Sequence, residues 1–219
     1  MGVVTQSRWE LLEKWGTGAF FTGAIMFVVA AALTVVSMTT GAERLSLMVG
    51  EAFIAAGWVG GLIGLLGVYA AVADQSSWSA RAGAVFTVIG AVTFVVLAVA
   101  SLVAYVNGGG VGDLPVPFIY LFPGIIIGSL LAFLSFSVAS LRSDVHSRTV
   151  GILLLVPPIT FVTNFFIIPA IVGTGPNPPE VILIVQIVLA LAMLAIGYVL
   201  PTGDRPTDGV EPTIESTTD

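Results

Sequence analysis

The chain contains no cysteine and one histidine in 219 residues, and Asp, Glu, Lys and Arg together make up only 9% of it. Without cysteine there are no disulfides, no thiolate nucleophiles and no sulfur-ligated metals. His146 sits between Arg142 and Arg148, near Asp144. One imidazole and one carboxylate do not make a converging ligand set, so no metal site is expected. No nucleophile motif surrounds His146, which argues against a serine hydrolase, and no histidine lies in an apolar run where a haem would need it. The runs themselves contain no acidic residue and Glu51 stands alone at the start of the second span, so paired carboxylates for general acid and base work are missing. We therefore expect no cofactor and no catalytic residue. Seven basic residues against thirteen acidic ones leave no stripe to neutralise phosphates, which excludes nucleic acid as a partner. The scarcity of charge also excludes an ordinary water-soluble domain.

What fills the chain instead is apolar. Six runs, approximately 19–38, 52–73, 84–106, 118–141, 150–172 and 181–200, account for most of its length. Each has roughly the 20 residues, at about 1.5 Å rise per residue, that a hydrocarbon layer about 30 Å thick requires. Turn residues are too few to divide these runs into the segments of about ten residues used by membrane barrels. Helices satisfy backbone polar groups in lipid without outside help, so the expected fold is all-α, a bundle of six transmembrane helices in the lipid bilayer.

The basic residues give an orientation. Arg8, Lys14, Arg81, Arg142, Arg148 and Arg205 all fall on one side of a six-span arrangement, and only Arg44 falls on the other. By the positive-inside rule both the N- and C-termini are expected in the cytoplasm, in a multi-pass protein of the cell membrane. The first apolar run lacks a small-residue cleavage site and is long enough to span, so it reads as a transmembrane helix rather than a signal peptide. The acidic composition, with a sequence pI near 4.6, suits a halophilic source.

The ends differ from the middle. Residues 1–16 read as a cytoplasmic leader. Ser7 and Glu10 have capping-box spacing, and Trp9, Leu12 and Trp15 form one stripe, as in an interfacial helix or the early start of the first membrane helix. The six-helix domain is assigned to 17–200. Residues 201–219 carry five acidic residues and three prolines with no aromatic side chain, the composition of a disordered acidic tail.

Within the spans, small residues and prolines carry the local signals. Gly57, Gly60, Gly61 and Gly64 recur at spacings of three and four, and Gly124 and Gly128 repeat the device in the fourth run. This is the spacing of close helix packing in membranes, with either another span or a second subunit as partner. A membrane protein partner or a homo-oligomer fits that signal. Pro157 and Pro158 lack the donors that an interior helical turn uses, so a kink is expected near residues 153–157. A freed carbonyl there needs a hydroxyl, and the fourth run offers Ser129, Ser135, Ser137 and Ser140.

The polar residues give one candidate site. Thr160 and Asn164 are four apart and share a helical face. Asn164 and Gln186 lie at similar depth from the outer ends of their runs, Glu51 stands near the same boundary, and Asn107 ends the third run there. Together they suit a polar cavity open to the exterior, with one acidic group at its mouth. Amide bonds between helices and a snorkelling glutamate account for the same residues.

Two functions from different classes follow. A non-catalytic integral membrane protein that supports or assembles with partners fits spans built for packing. A small-solute transporter or channel-like subunit fits the proline break, the three-plus-three span arrangement and the polar group of Thr160, Asn164, Gln186 and Glu51. A lipid-modifying membrane enzyme is a third and weaker choice.

Overall fold

The computed structural model describes residues 3–42, 45–72, 77–109, 114–143, 148–173 and 177–200. Six helices are long and apolar enough to cross a membrane: span 1, Lys14–Thr40; span 2, Leu47–Tyr69; span 3, Trp78–Val106; span 4, Phe118–Arg142; span 5, Arg148–Ile171; and span 6, Pro179–Val199. No strand occurs among the described residues. The chain is a multi-pass membrane protein. The acidic tail and His146 lie outside the described residues, as do the side chains of the leader up to Glu13. The leader's backbone belongs to span 1, because one helix runs unbroken from Val3 to Thr40.

These helices are apolar on all sides, so hydrophobicity alone does not choose which face turns inward. In lipid that choice falls to packing, and small residues that let backbones approach become decisive. Span 1 buries Phe20, Ala24, Phe27, Ala31 and Thr34, a stripe that repeats every three or four residues. Ile25, Val28 and Val35 on its other side stay exposed, as do Val85, Val88, Val92 and Val99 of span 3. Such faces suit hydrocarbon. Most of the contact in the bundle joins span 1 to spans 2 and 6, and span 2 to span 3.

The glycines are where helix backbones meet. A Cβ placed on Gly60 would lie 2.7 Å from the Cα of Gly23, and one on Gly16 would lie 2.8 Å from the Cα of Gly67. Spans 1 and 2 therefore touch backbone to backbone at two levels. Between those levels Gly64 leaves a hollow filled by the Phe20 ring, and beyond the Gly60 level Gly57 leaves one filled by Phe27. Gly61 faces elsewhere and receives Met193 of span 6 and Phe133 of span 4. The second seam joins spans 3 and 4, where Gly128 meets Gly90 and Gly124 accommodates Thr93. The seams thus find their partners within this chain.

Span 5 is not one continuous α-helix. It runs as Arg148–Leu153, a turn at residues 154–155, then Val156–Val162 with Pro157 and Pro158 in its first turn. At the break the Leu155 N–H donates to Ile152 at 3.0 Å instead of reaching back to Gly151. The Gly151 carbonyl then accepts from the buried Ser137 hydroxyl of span 4 at 2.7 Å. Of the four serines in span 4, this is the one that answers the break. Ser129 bonds within its own helix, to Ile125, and the buried Ser140 hydroxyl has no partner among the described residues.

The packing generates a direct test. In Gly60→Ala the new methyl meets backbone atoms that cannot rotate away, an overpacking cost of about 1–3 kcal/mol. Gly18 on span 1 has nothing within 4 Å of such a methyl. Gly60→Ala should lower the thermal unfolding midpoint in a fixed detergent, while Gly18→Ala should leave it unchanged or raise it. Equal midpoints for the two variants would contradict the backbone contact.

Candidate functional site

Lys14, Arg81, Arg142 and Arg148 mark one end of the bundle. At the other end the helices part around a cavity of about 210 Å³. Three of the polar residues that stand far apart in sequence, Glu51, Asn164 and Gln186, line it, and Asn177 joins them. Glu51 lies about four residues, roughly 6 Å, inside span 2. Gln186 and Asn164 each lie about seven residues, roughly 10 Å, from the ends of spans 6 and 5. Thr160 does not line the cavity. The lining face of span 5 runs through Phe161, Asn164 and Phe165, and Thr160 sits one residue, about 100° of helical rotation, to the side of Phe161. Asn107 is separate as well, lining a shallow depression with Gly108, Gly109 and Pro115.

Local helix irregularities set the polar groups in place. Glu51 follows a π-helical turn, Ser46–Gly50, and Asn164 lies inside another, Thr163–Ile167. In that second turn the Ile168 N–H reaches back to the Thr163 carbonyl. The next residue, Pro169, has no N–H. The Asn164 carbonyl therefore loses both the i+4 and the i+5 donor, and Asn177 supplies a replacement. Its Nδ2 donates to the Asn164 backbone oxygen at 3.0 Å and to Asn164 Oδ1 at 2.9 Å. One side chain, just ahead of span 6, thereby holds that span's entry against span 5.

Gln186 is buried at 2% exposure. The Thr34 hydroxyl of span 1 lies 3.1 Å from Gln186 Oε1 and 3.1 Å from the Ala30 carbonyl, so one proton serves two acceptors. No hydrogen bond from Gln186 Nε2 occurs among the described residues, which leaves a donor in the cavity wall. Glu51 is half-buried, and its carboxylate has no hydrogen bond or ion pair among the described residues. Among the described residues, no Lys, Arg or His lines the cavity.

The rest of the lining is apolar and strongly aromatic. Trp58 stacks on Phe94 of span 3 with centroids 5.6 Å apart, and it meets Phe27 of span 1 and Phe133 of span 4 edge-on at 5.9 and 5.8 Å. This cluster closes the deep end of the cavity. Glu51, Ile54 and Trp58 share one face of span 2, at intervals of three and four residues. Phe161 and Phe165, 4.6 Å apart, line the span 5 side. Phe118 of span 4 and Phe165, both lining residues, are more than one-third exposed.

Sequence reasoning missed Thr34, Asn177 and the aromatic floor. Thr34 was detectable as the polar member of the buried stripe of span 1. Asn177 was detectable through Pro169, which signals that a carbonyl upstream needs an outside donor. No known family matches this chain, and neither a curated protein nor a solved structure matches it.

The bond between Thr34 and Gln186 ties span 1 to span 6 beneath the cavity, and interhelical bonds of this kind contribute about 0.6–1.7 kcal/mol. A double-mutant cycle of Thr34→Val and Gln186→Leu, followed by thermal or denaturant unfolding in detergent, should give a coupling energy in that range. Strict additivity would contradict the bond.

Proposed function

We propose that this chain is a small-solute transporter or channel-like subunit of the cell membrane, with its binding site in the cavity formed by Glu51, Asn164, Asn177 and Gln186. The observation that carries the reading is convergence. Residues from spans 2, 5 and 6 bring a carboxylate and two amides to one void, at an end of the molecule where the helix backbone departs from α-geometry. Departures of this sort are stable only where the loosened backbone is answered by other groups or lines a cavity.

The same comparison weighs against a purely packing role. The glycine seams are filled by the chain's own backbones and rings, so they give no reason to invoke a second subunit. By the positive-inside rule the end with Lys14, Arg81, Arg142 and Arg148 faces the cytoplasm, and the cavity opens to the exterior. Gln186 Nε2 and the Glu51 carboxylate then offer an arriving solute one donor and one acceptor. Thr160, off the lining face, is left out of this site.

The reading is tested by uptake into proteoliposomes, using a panel of small polar and charged solutes. At least one solute should enter faster than into protein-free liposomes. Asn164→Leu and Gln186→Leu, each removing one hydrogen-bonding group, should each reduce that uptake about tenfold without changing folded yield. Uptake indifferent to both substitutions, or none above background across the panel, would overturn the transport reading.

A further inference from the structure

We infer that the ligand of this cavity is a compact organic cation, an alkylammonium of about the size of choline. The inference rests on the reading of the cavity as a solute site and names the class of solute. Size sets the first limit. An apolar cavity of about 150 Å³ holds benzene, so about 210 Å³ suits a molecule of roughly six to ten non-hydrogen atoms.

Charge sets the second limit. Among the described residues, the one ionisable group in the wall is the Glu51 carboxylate, which is unpaired and has no Lys, Arg or His beside it. Arg44, the only basic residue in the sequence at that end, lies outside the described residues. An anion would meet the carboxylate with nothing to offset it. A bare metal ion needs several oxygen ligands in place of its water shell, and one carboxylate with two or three amides set among phenyl rings does not provide them.

The aromatic walls favour an organic cation. Phe27, Trp58, Phe94, Phe118, Phe161 and Phe165 supply apolar surface for methyl or methylene groups. An aromatic face that meets a weakly hydrated ammonium attracts it, by about 2 kcal/mol or more where water is excluded. The amides at the level of Asn164 and Gln186 suit a hydroxyl or another polar group at the far end of such a molecule. A neutral sugar, with polar atoms on all sides, would leave most of them facing rings. The trimethylammonium group is shared by free choline and by the choline phospholipid headgroup, and the experiment separates the two.

The experiment uses the purified full-length chain in a maltoside detergent. Binding of choline is compared by calorimetry with binding of 3,3-dimethylbutan-1-ol, which replaces the trimethylammonium with an uncharged tert-butyl group of the same shape. Choline should bind at least tenfold more tightly, and Glu51→Gln should bring it to the level of the neutral compound without changing the latter. The comparison on the parent chain stands even if the variant folds poorly. Displacement of choline by phosphatidylcholine in mixed micelles would identify the lipid headgroup as the source of the cation, and its failure would identify a free solute. Equal affinity for the two small probes would overturn the inference while leaving a solute site in place. Binding of neither would also overturn it, and the uptake panel would then decide the transport reading independently.

Discussion

Every backbone carbonyl in the apolar interior of a membrane protein must find a donor, because no bulk water is there to supply one. An unbroken α-helix meets that demand by itself, and spans 1 and 3 of this chain do so along their described lengths. Span 5 does not. The turn at residues 154–155 diverts Gly151's usual donor, and the π-helical turn with Pro169 takes both donors from Asn164; each carbonyl is met by one side chain from elsewhere, Ser137 and Asn177 respectively. The first of these contacts fastens span 5 to span 4, and the second fastens the entry of span 6 to span 5. Two hydrogen bonds, one at the turn before Pro157 and one at the carbonyl that Pro169 leaves without a donor, thus tie three helices together.

The interior divides at Trp58. Toward the basic end, Gly60, Gly64 and Gly67 bring spans 1 and 2 into backbone contact, with the Phe20 ring seated over Gly64. Toward the other end the same helices carry bulkier side chains. There Phe27, seated over Gly57, and Phe94 and Phe133 gather around Trp58, and the cavity lies beside them. Backbone contact between spans 1 and 2 at one end thus gives way to packing of rings at the other, beside the cavity.

The six-helix architecture was legible in the sequence because a span is set by length and apolarity, both of which are one-dimensional. Its limits were less so: span 1 extends to Lys14 and Thr40, beyond the apolar run at 19–38, because a helix continues through polar residues once it leaves hydrocarbon. The glycine spacing of span 2 was visible, but its partner was not. The complementary signal, Gly16 and Gly23 seven residues apart on span 1, has meaning only when the two helices are seen together. The proline pair fixed the break at residues 154–155, whereas Pro169 was overlooked, and with it the reason for Asn177. For the cavity, depth counting brought Asn164 and Gln186 to one level, yet Thr160 was misplaced because four residues of helix advance 400° rather than 360°. The aromatic floor was not legible at all, since each ring is ordinary in its own span and they meet only through packing.

The central claim, a water-accessible cavity at the end opposite the basic residues, is open to a measurement that a chain without cysteine makes simple. Ile182 lines the cavity, and Ile184, two residues further along span 6, points away from it and is 61% exposed on the outer face of the bundle. A thiol reacts as its thiolate, which forms in water and is suppressed in hydrocarbon. Single cysteines at these positions would be exposed to a small membrane-impermeant thiosulfonate added from outside to intact cells. The account predicts rapid modification of Ile182→Cys and little or none of Ile184→Cys. Equal rates at the two positions, or modification of Ile182→Cys only when reagent reaches the cytoplasmic side, would contradict it.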